Sequence, residues 1–354
     1  MYVLVALSLV EALCHFGLVY PDSGAYVTNA YFFQSAGQPN RFRLLRPVVS
    51  ILAAFVGTLT DMRTAFAIVN LVLWCAATLL MFLFVEKITQ KSYVSLLAAG
   101  FFTVAYPLLV YGDAVLTDMA GFFFVLLGVH MIVNWDILRS TYAKVTVSAG
   151  IMAIGILSRE TVACVFIVAL LWALISKSSL TKLVLFLAIP FAALFAWAAL
   201  EGLSVWGFAL VQVTYAATNQ PLSESQRILM WLYTLRVAFR PDLLVLAAVG
   251  LLTSVRQRTW VKYLAILAAI SVFLLAVPGP VDYRFTFLLF PAILPLAAIG
   301  TLQLSAFISQ HLPVSDAKRT TMALGLIVLS AYAIETNWIA LKFLSFPWNP
   351  HATY

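Results

Sequence analysis

The chain has 354 residues, of which 63% are hydrophobic and only 10% are charged. A mean hydropathy of +1.00 over this length is typical of an integral membrane protein and excludes an ordinary soluble enzyme. The formal net charge of +7 suits contact with anionic membrane lipids, and we expect no nucleic-acid partner.

Apolar segments recur along the whole sequence at lengths that suit membrane crossing. A transmembrane helix needs roughly 20 apolar residues, and about eleven segments approach that length. The segment 47–60 is too short for a full crossing and favours a half-inserted helix. The first segment has neither a basic start nor a cleavage site, so we interpret it as a retained helix. The predicted spans are 1–20, 63–85, 93–110, 119–135, 145–157, 161–176, 183–201, 241–255, 261–277, 285–307 and 321–341.

The loops between these spans alternate in charge. With the N-terminus inside, every inner loop carries at least two basic residues, which is the positive-inside signature. Most acids fall on the outer face, and several arginines lie there that topology does not require. The sequence therefore predicts an all-α membrane protein of about eleven transmembrane helices with juxtamembrane helices at the outer face. We expect residues 1–354 to form a single domain, without a separate soluble domain.

The first outer segment contains Pro21-Asp22-Ser23-Gly24-Ala25-Tyr26. This pattern predicts a short helix over 25–36 that begins at Asp22 or Ser23. Asp22 is either only the cap of that helix or a general base at the membrane surface, with Tyr26 one turn further along the same face. Three arginines follow, and we interpret them as groups that position this helix on the membrane; they are Arg41, Arg43 and Arg46.

The second outer segment holds two carboxylates, Asp113 and Asp118. Their close spacing suits a divalent cation, the hydroxyls of an acceptor, or assistance to a base. Helix capping is an equal alternative for Asp118, since Thr117 or Asp118 begins the next predicted span, and capping or solvation is the alternative for Asp113. A divalent cation is therefore a possible cofactor, and no other cofactor is indicated.

Two further outer segments carry arginines. The adjacent Arg159 and Glu160 either neutralise each other in a hairpin or contact a substrate. Arg236 and Arg240 are four residues apart beside aromatic residues, and they either cradle a lipid phosphate or anchor a helix at the interface.

The last outer segment follows Pro278-Gly279-Pro280 and presents Tyr283 and Arg284 at the bilayer edge. Arg284 either binds a phosphate oxygen, pairs with Asp282 or extends to the interface.

Taken together, these motifs resemble the GT-C superfamily of polytopic glycosyltransferases, which use polyprenyl-phosphate-linked sugars and include mannosyltransferases and aminoarabinose transferases. The resemblance rests on P-D-S-G-A-Y at 21–26, R-L-L-R-P at 43–47, L-T-D at 116–118, S-R-E at 158–160 and Y-R-F at 283–285. It implies a catalytic aspartate at Asp22, a supporting acid at Asp118 or Asp113, and outward-facing arginines for the lipid phosphate.

The implied reaction is an inverting sugar transfer at the outer face of a membrane, with a prokaryotic cytoplasmic membrane as our expectation. The partners would be a polyprenyl-phosphate-linked sugar donor, membrane lipids, and a glycan, lipid or protein acceptor. The alternatives are a membrane polysaccharide ligase or polymerase, and a transporter or flippase. Transport sites usually lie near the bilayer midplane, where Glu11 is almost the only predicted charge.

Overall fold

Helices and short connections make up the described part of the chain. The computed structural model describes residues 6–11, 22–41, 43–112, 114, 116–207, 223–256, 260–276, 283–311 and 317–345, and these contain no β-strand. The helices are α1 (Ser23–Phe33), α2 (Pro47–Val56), α3 (Met62–Thr89), α4 (Ser92–Thr103), α5 (Tyr106–Tyr111), α6 (Asp118–Val133), α7 (Tyr142–Ser158), α8 (Cys164–Ser176), α9 (Leu180–Leu200), α10 (Glu224–Arg256), α11 (Trp260–Ala276), α12 (Phe290–His311) and α13 (Ala317–Ser345). Three 3₁₀ segments join them, at Ile137–Arg139, Glu160–Ala163 and Tyr283–Leu289.

The long apolar helices confirm an all-α integral membrane protein. Four helical stretches in the described part are long and apolar enough to cross a membrane: Met62–Thr89, Leu180–Leu200, Phe285–His311 and Arg319–Ala340. Shorter apolar helices occupy the predicted spans 93–110, 119–135, 145–157, 161–176 and 261–277. The span 241–255 is the second part of α10, and most of the span 1–20 lies outside the described residues, so the number eleven stays a prediction. The predicted half-inserted segment forms α2, whose 10 residues extend about 15 Å and are too short to cross.

Proline breaks one predicted span and bends a helix at the start of another. The predicted span 93–110 is two helices, because Pro107 is tolerated only in the first turn of the new helix α5. Helix α10 bends at Arg240, which has φ 56° and ψ 152°, immediately before Pro241. Proline disfavours helical backbone in the residue before it, and a positive φ in arginine is strained. The bend separates a first helical part from the predicted span 241–255.

Close packing joins the second half of the bundle. Gly250 of α10 lies against Gly300 of α12 so tightly that a Cβ atom on either would sit 1.9 Å from a backbone carbonyl oxygen of the other helix. Such small-residue contacts let membrane helices approach each other. Nearby, Phe122 of α6 packs on Phe290 of α12 with ring centroids 5.7 Å apart, and Phe239 packs on the same ring at 5.3 Å. The start of α6, the bend of α10 and the start of α12 therefore meet at one end of the bundle.

Candidate functional site

Three of the predicted outer segments converge at the N-terminal end of α6. Helix α1, the residues before α2, and the Arg159–Glu160 connection between α7 and α8 contribute side chains to one polar cluster. Asn70 of α3 supports the approach to it, because its amide donates hydrogen bonds to the carbonyl oxygens of Ala114 and Leu116 at 2.6 and 3.0 Å. We call this group the outer-face cluster, after the predicted location of its segments: Asp22, Tyr26, Arg43, Arg46, Thr117, Asp118, Arg159 and Glu160.

The centre of the outer-face cluster is a buried pair between Arg159 and Asp118. Both guanidinium nitrogens reach the carboxylate, at 2.9 Å to Oδ1 and 3.0 Å to Oδ2, and each side chain is about 5% exposed. Arg159 also donates to the Thr117 hydroxyl at 3.0 Å. Thr117 precedes the helix as its N-cap residue but makes no side-chain capping bond. The carboxylate of Asp118 is therefore held by arginine.

A second arginine links the first outer segment to the third. Arg46, only 4% exposed, donates to the Tyr26 hydroxyl at 2.6 Å and to Oε1 of Glu160. Thr117 donates to the same Tyr26 oxygen at 3.3 Å. Arg159 and Glu160 thus pair with other segments of the chain, and the expectation that they neutralise each other is wrong. Their φ/ψ geometry explains this, since Arg159 is extended and turns away from the 3₁₀ segment that begins at Glu160.

Asp22 lies at the open edge of the cluster. Its Oδ1 pairs with Arg43 at 2.7 Å, and its side chain is 32% exposed. Asp22 precedes the first residue of α1 but makes no side-chain capping hydrogen bond, so capping does not account for its carboxylate. The Arg43 guanidinium also lies over the Tyr26 ring, 5.7 Å from its centroid. The Asp22 side chain is thus far more exposed than that of Asp118, at 4%, although the Glu160 side chain is 43% exposed.

The arginines set the protonation of this region. Burial alone would raise the pKa of Tyr26, but Arg46, Arg159 and Arg43 outweigh it and hold that pKa below its usual value. The same balance of burial against Arg46 and Arg159 lowers the pKa of Glu160. Glu160 and Tyr26 in turn raise the pKa of Arg46 above its usual value, although burial opposes them. Each of the three carboxylates pairs with one arginine, so the cluster is close to neutral; the pairs are Asp22–Arg43, Glu160–Arg46 and Asp118–Arg159.

The arginines of α10 are placed differently from their predicted arrangement. Arg236 is exposed and pairs with no acid among the described residues. Arg240, at the bend, pairs through Nε with Asp242 at 3.3 Å and through Nη1 with Glu335 of α13 at 2.5 Å. The prediction that both arginines share one helical face does not hold at Arg240, because its backbone is not helical.

The other predicted site residues are only partly covered by the structure. Asp113 lies outside the described residues. Tyr283 and Arg284 begin the 3₁₀ segment Tyr283–Leu289, but their side chains also lie outside the described part. This segment runs beside the start of α6, since Phe287 and Phe122 have ring centroids 5.8 Å apart. No group of three His, Cys, Asp or Glu side chains suited to a metal occurs among the described residues.

Sequence reasoning underestimated Arg43 and Arg46. We interpreted them as groups that position a helix on the membrane, whereas both pair with acids of the site. Arg46 and Glu160 are 114 residues apart, so no local sequence pattern predicts their contact. The available signal was the short R-L-L-R-P motif directly after the first outer segment.

Comparisons with solved structures define the fold. No family model matches the chain, and no curated protein matches it. ArnT from Cupriavidus metallidurans in the apo state has a TM-score of 0.62 at 14% identity, over 96% of this chain and 71% of its own. The same protein bound to undecaprenyl phosphate gives 0.54 at 14% identity, over 96% and 70%.

An archaeal protein shows the same likeness. The oligosaccharyltransferase of Archaeoglobus fulgidus, tethered to an acceptor peptide, gives a TM-score of 0.58 at 12% identity over 96% of this chain. The chain spans about half of that protein's length, at 54%. These likenesses confirm the predicted GT-C-like membrane fold.

Proposed function

We propose that this protein is an inverting glycosyltransferase that moves a sugar from a polyprenyl-phosphate donor to an acceptor at the outer membrane face. The observation that carries the proposal is the position of Asp22, a partly exposed carboxylate at the edge of a cluster whose central pair, Arg159 and Asp118, is buried. The fold supports it, because ArnT of the same fold has been solved with undecaprenyl phosphate. The acceptor is a glycan, a lipid or a protein.

The proposed reaction needs one base. Asp22 takes the proton from an acceptor hydroxyl while that oxygen attacks the anomeric carbon. The bond from the anomeric carbon to the phosphate oxygen breaks, and the polyprenyl phosphate leaves with the electron pair. The phosphate needs no proton to leave, so a second catalytic acid is unnecessary. Asp118, already bound by Arg159 on both oxygens, would act as a positioning residue that fixes the start of α6.

The phosphate requires positive charge beyond the outer-face cluster. In that cluster Arg43, Arg46 and Arg159 are each matched by a carboxylate. Arg236 has no such partner among the described residues. Arg284 belongs to the 3₁₀ segment Tyr283–Leu289, which runs beside the start of α6. We propose that these two arginines, with Arg240 if it leaves its acids, bind the donor phosphate and stabilise its charge as it leaves.

Arg43 holds Asp22 and therefore must yield during the reaction. Their pair at 2.7 Å occupies one carboxylate oxygen, Oδ1. A carboxylate bound to arginine is a weaker base, so the acceptor hydroxyl would bind as Arg43 turns towards the sugar or the phosphate. Glu160 offers a further acceptor at the site, since its Oε2 is buried and receives no hydrogen bond from the described residues. That oxygen suits a sugar hydroxyl or a divalent cation.

The test uses purified full-length protein and a panel of polyprenyl-phosphate sugars, with and without EDTA. One donor should raise the unfolding temperature of both the wild type and Asp22→Asn, and only the wild type should release polyprenyl phosphate when acceptor is present. Loss of turnover in EDTA would show that the reaction needs a divalent cation. Donor movement across vesicles without cleavage of the sugar–phosphate bond would instead establish a flippase.

A further inference from the structure

A groove opens at the opposite end of the bundle from the outer-face cluster. It has a volume of about 400 Å³ and lies between the end of α3, the start of α4, the last turns of α12 and the start of α13. Lys91 and Thr321 are among its lining residues, and α12, which supplies five of the eleven, is called its floor. None of its lining residues is acidic.

Helix α3 runs from one site to the other, so its length gives their separation. Asn70 contacts the segment that leads into the outer-face cluster, and Thr89 lines the groove. These residues are 19 positions apart, which corresponds to about 28 Å along an α-helix. That distance is close to the hydrocarbon thickness of roughly 30 Å. The groove therefore lies at the inner membrane face if the cluster lies at the outer one, in agreement with its basic loops.

Three polar side chains of the groove have no polar partner among the described residues. The Lys91 ammonium pairs with no acid, and the amides of Gln303 and Gln310 make no hydrogen bond, among the described residues. Gln303 lies two turns inside the end of α12, where an exposed amide in contact with lipid chains is costly. These side chains supply a positive charge and N–H donors at one end of the groove.

Part of the lining of the groove is apolar. Ile299, Leu302 and Ala306 of α12 contribute to it together with Val94 of α4, and Ile299 and Leu302 are the lining residues furthest from the end of α12. From Ile299 to Gln310 the lining residues recur every three or four positions, so they form one stripe about 16 Å long. The groove thus combines apolar side chains with one lysine and two side-chain amides, and the amides lie nearer the end of α12 than Ile299 and Leu302 do. This arrangement suits an amphiphile with an anionic head and a hydrocarbon tail.

We propose that this groove binds an anionic phospholipid of the inner leaflet. Its phosphate would lie against Lys91 and accept hydrogen bonds from the amides of Gln303 and Gln310. One acyl chain would follow Ile299 and Leu302. The occupant is a lipid rather than inorganic phosphate, because half of the lining is apolar and a free anion would leave that surface uncovered. The assignment to the inner leaflet rests on the proposed outer-face position of the cluster, whereas lipid binding does not depend on the sugar-transfer reaction.

The test measures lipid retention by native mass spectrometry of the full-length protein in detergent. The probes are phosphatidylglycerol, phosphatidylcholine and inorganic phosphate, and the variants are Lys91→Gln, Ala306→Trp and Lys177→Gln. Lys177 is exposed at the end of α8, so its replacement removes an equal charge without touching the groove. Native mass and unfolding temperature of each variant in phosphatidylcholine check that it is folded.

The wild type should retain phosphatidylglycerol, and Lys91→Gln should weaken that retention about fivefold, as expected for one basic group at an anionic lipid surface. Ala306→Trp should exclude the lipid by filling the floor, and Lys177→Gln should bind it as the wild type does. Inorganic phosphate should not compete at the same concentration. Equal losses in Lys91→Gln and Lys177→Gln, unchanged retention in Lys91→Gln, or displacement by inorganic phosphate would overturn the proposal.

Discussion

The two arginine sites at the proposed outer face differ in how firmly the fold holds them. Arg159 and Asp118 are both about 5% exposed and join through two parallel hydrogen bonds. Arg240 is 20% exposed, and its partners Asp242 and Glu335 are 51% and 45% exposed. A buried pair cannot lose one partner without leaving an uncompensated charge, whereas a hydrated pair exchanges with solvent or ligand at little cost. The first site therefore suits a scaffold, and the second suits a group that moves to a substrate.

Replacement of Arg159 should produce the largest loss of stability. Arg159→Gln leaves the Asp118 carboxylate buried without its counter-charge, and we expect the free energy of unfolding to fall by about 3–5 kcal/mol. Denaturant unfolding in detergent measures this change. Arg139→Gln is the matched control, because Arg139 is 61% exposed and pairs with Asp136 at only 3.6 Å. Equal small effects from both variants would show that the Asp118 pair is not a scaffold.

Replacement of Arg46 should have the next largest effect. Arg46→Gln removes charged hydrogen bonds to Tyr26 and Glu160, and we expect a loss of about 1.5–3 kcal/mol. The pKa of Tyr26 should also rise, because Arg46 is the leading charge that holds it down against burial. A tyrosinate absorbance titration, with Tyr26→Phe to identify the signal, measures the shift. An unchanged titration would contradict the contact.

The lowered pKa of Glu160 predicts how stability depends on pH. The folded state releases this proton more readily than the unfolded state, whose reference value is 4.5. The stabilisation is therefore complete above that value and is lost as the pH falls through the lower folded pKa. Glu160→Gln should flatten the unfolding curve below pH about 4.5, and Glu201→Gln should not. A wild-type curve that Glu160→Gln leaves unchanged would contradict the pairing with Arg46.

Replacement of Arg240 should have the smallest effect. Arg240→Gln removes two partly exposed ion pairs, so we expect a loss of about 0–1 kcal/mol. Arg240→Gly should be more stable than Arg240→Gln by about 1 kcal/mol, because glycine adopts the positive φ of this position without strain. Thermal unfolding of the two variants measures the difference. A loss of unfolding free energy in Arg240→Gln as large as that in Arg159→Gln would show that this site is as firmly held as the Arg159 pair.

The sequence predicted the spans better than the contacts between them. The lengths of the apolar segments predicted α3, α9 and the end of α12, because a helix needs a minimum number of residues to cross a membrane. It did not predict the break before α5, which depends on a single proline inside an apolar segment. The predicted span 241–255 begins at the bend, but the non-helical backbone of Arg240, which removes this residue from the helical face of Arg236, was not predicted.

The sequence predicted which residues belong to the candidate site better than it predicted which arginine pairs with which acid. Asp22, Tyr26, Asp118, Arg159 and Glu160 come together as short motifs suggested. Their partners could not be predicted, because each arginine had several acids within reach and the choice depends on how distant helices pack. The roles of Asp22 and Asp118 in the reaction stay predictions.

The central claim is that Asp22 reacts while the buried acid only supports it. The most direct measurement is the transfer rate of Asp22→Asn with saturating donor and acceptor, together with its unfolding temperature. Asp61→Asn is the control, since Asp61 caps α3 by accepting from the Thr64 amide and asparagine caps equally well. We predict a rate lower by about 10²–10⁴-fold in Asp22→Asn with an unfolding temperature like that of Asp61→Asn. Turnover by Asp22→Asn at the rate of the wild type would contradict the account.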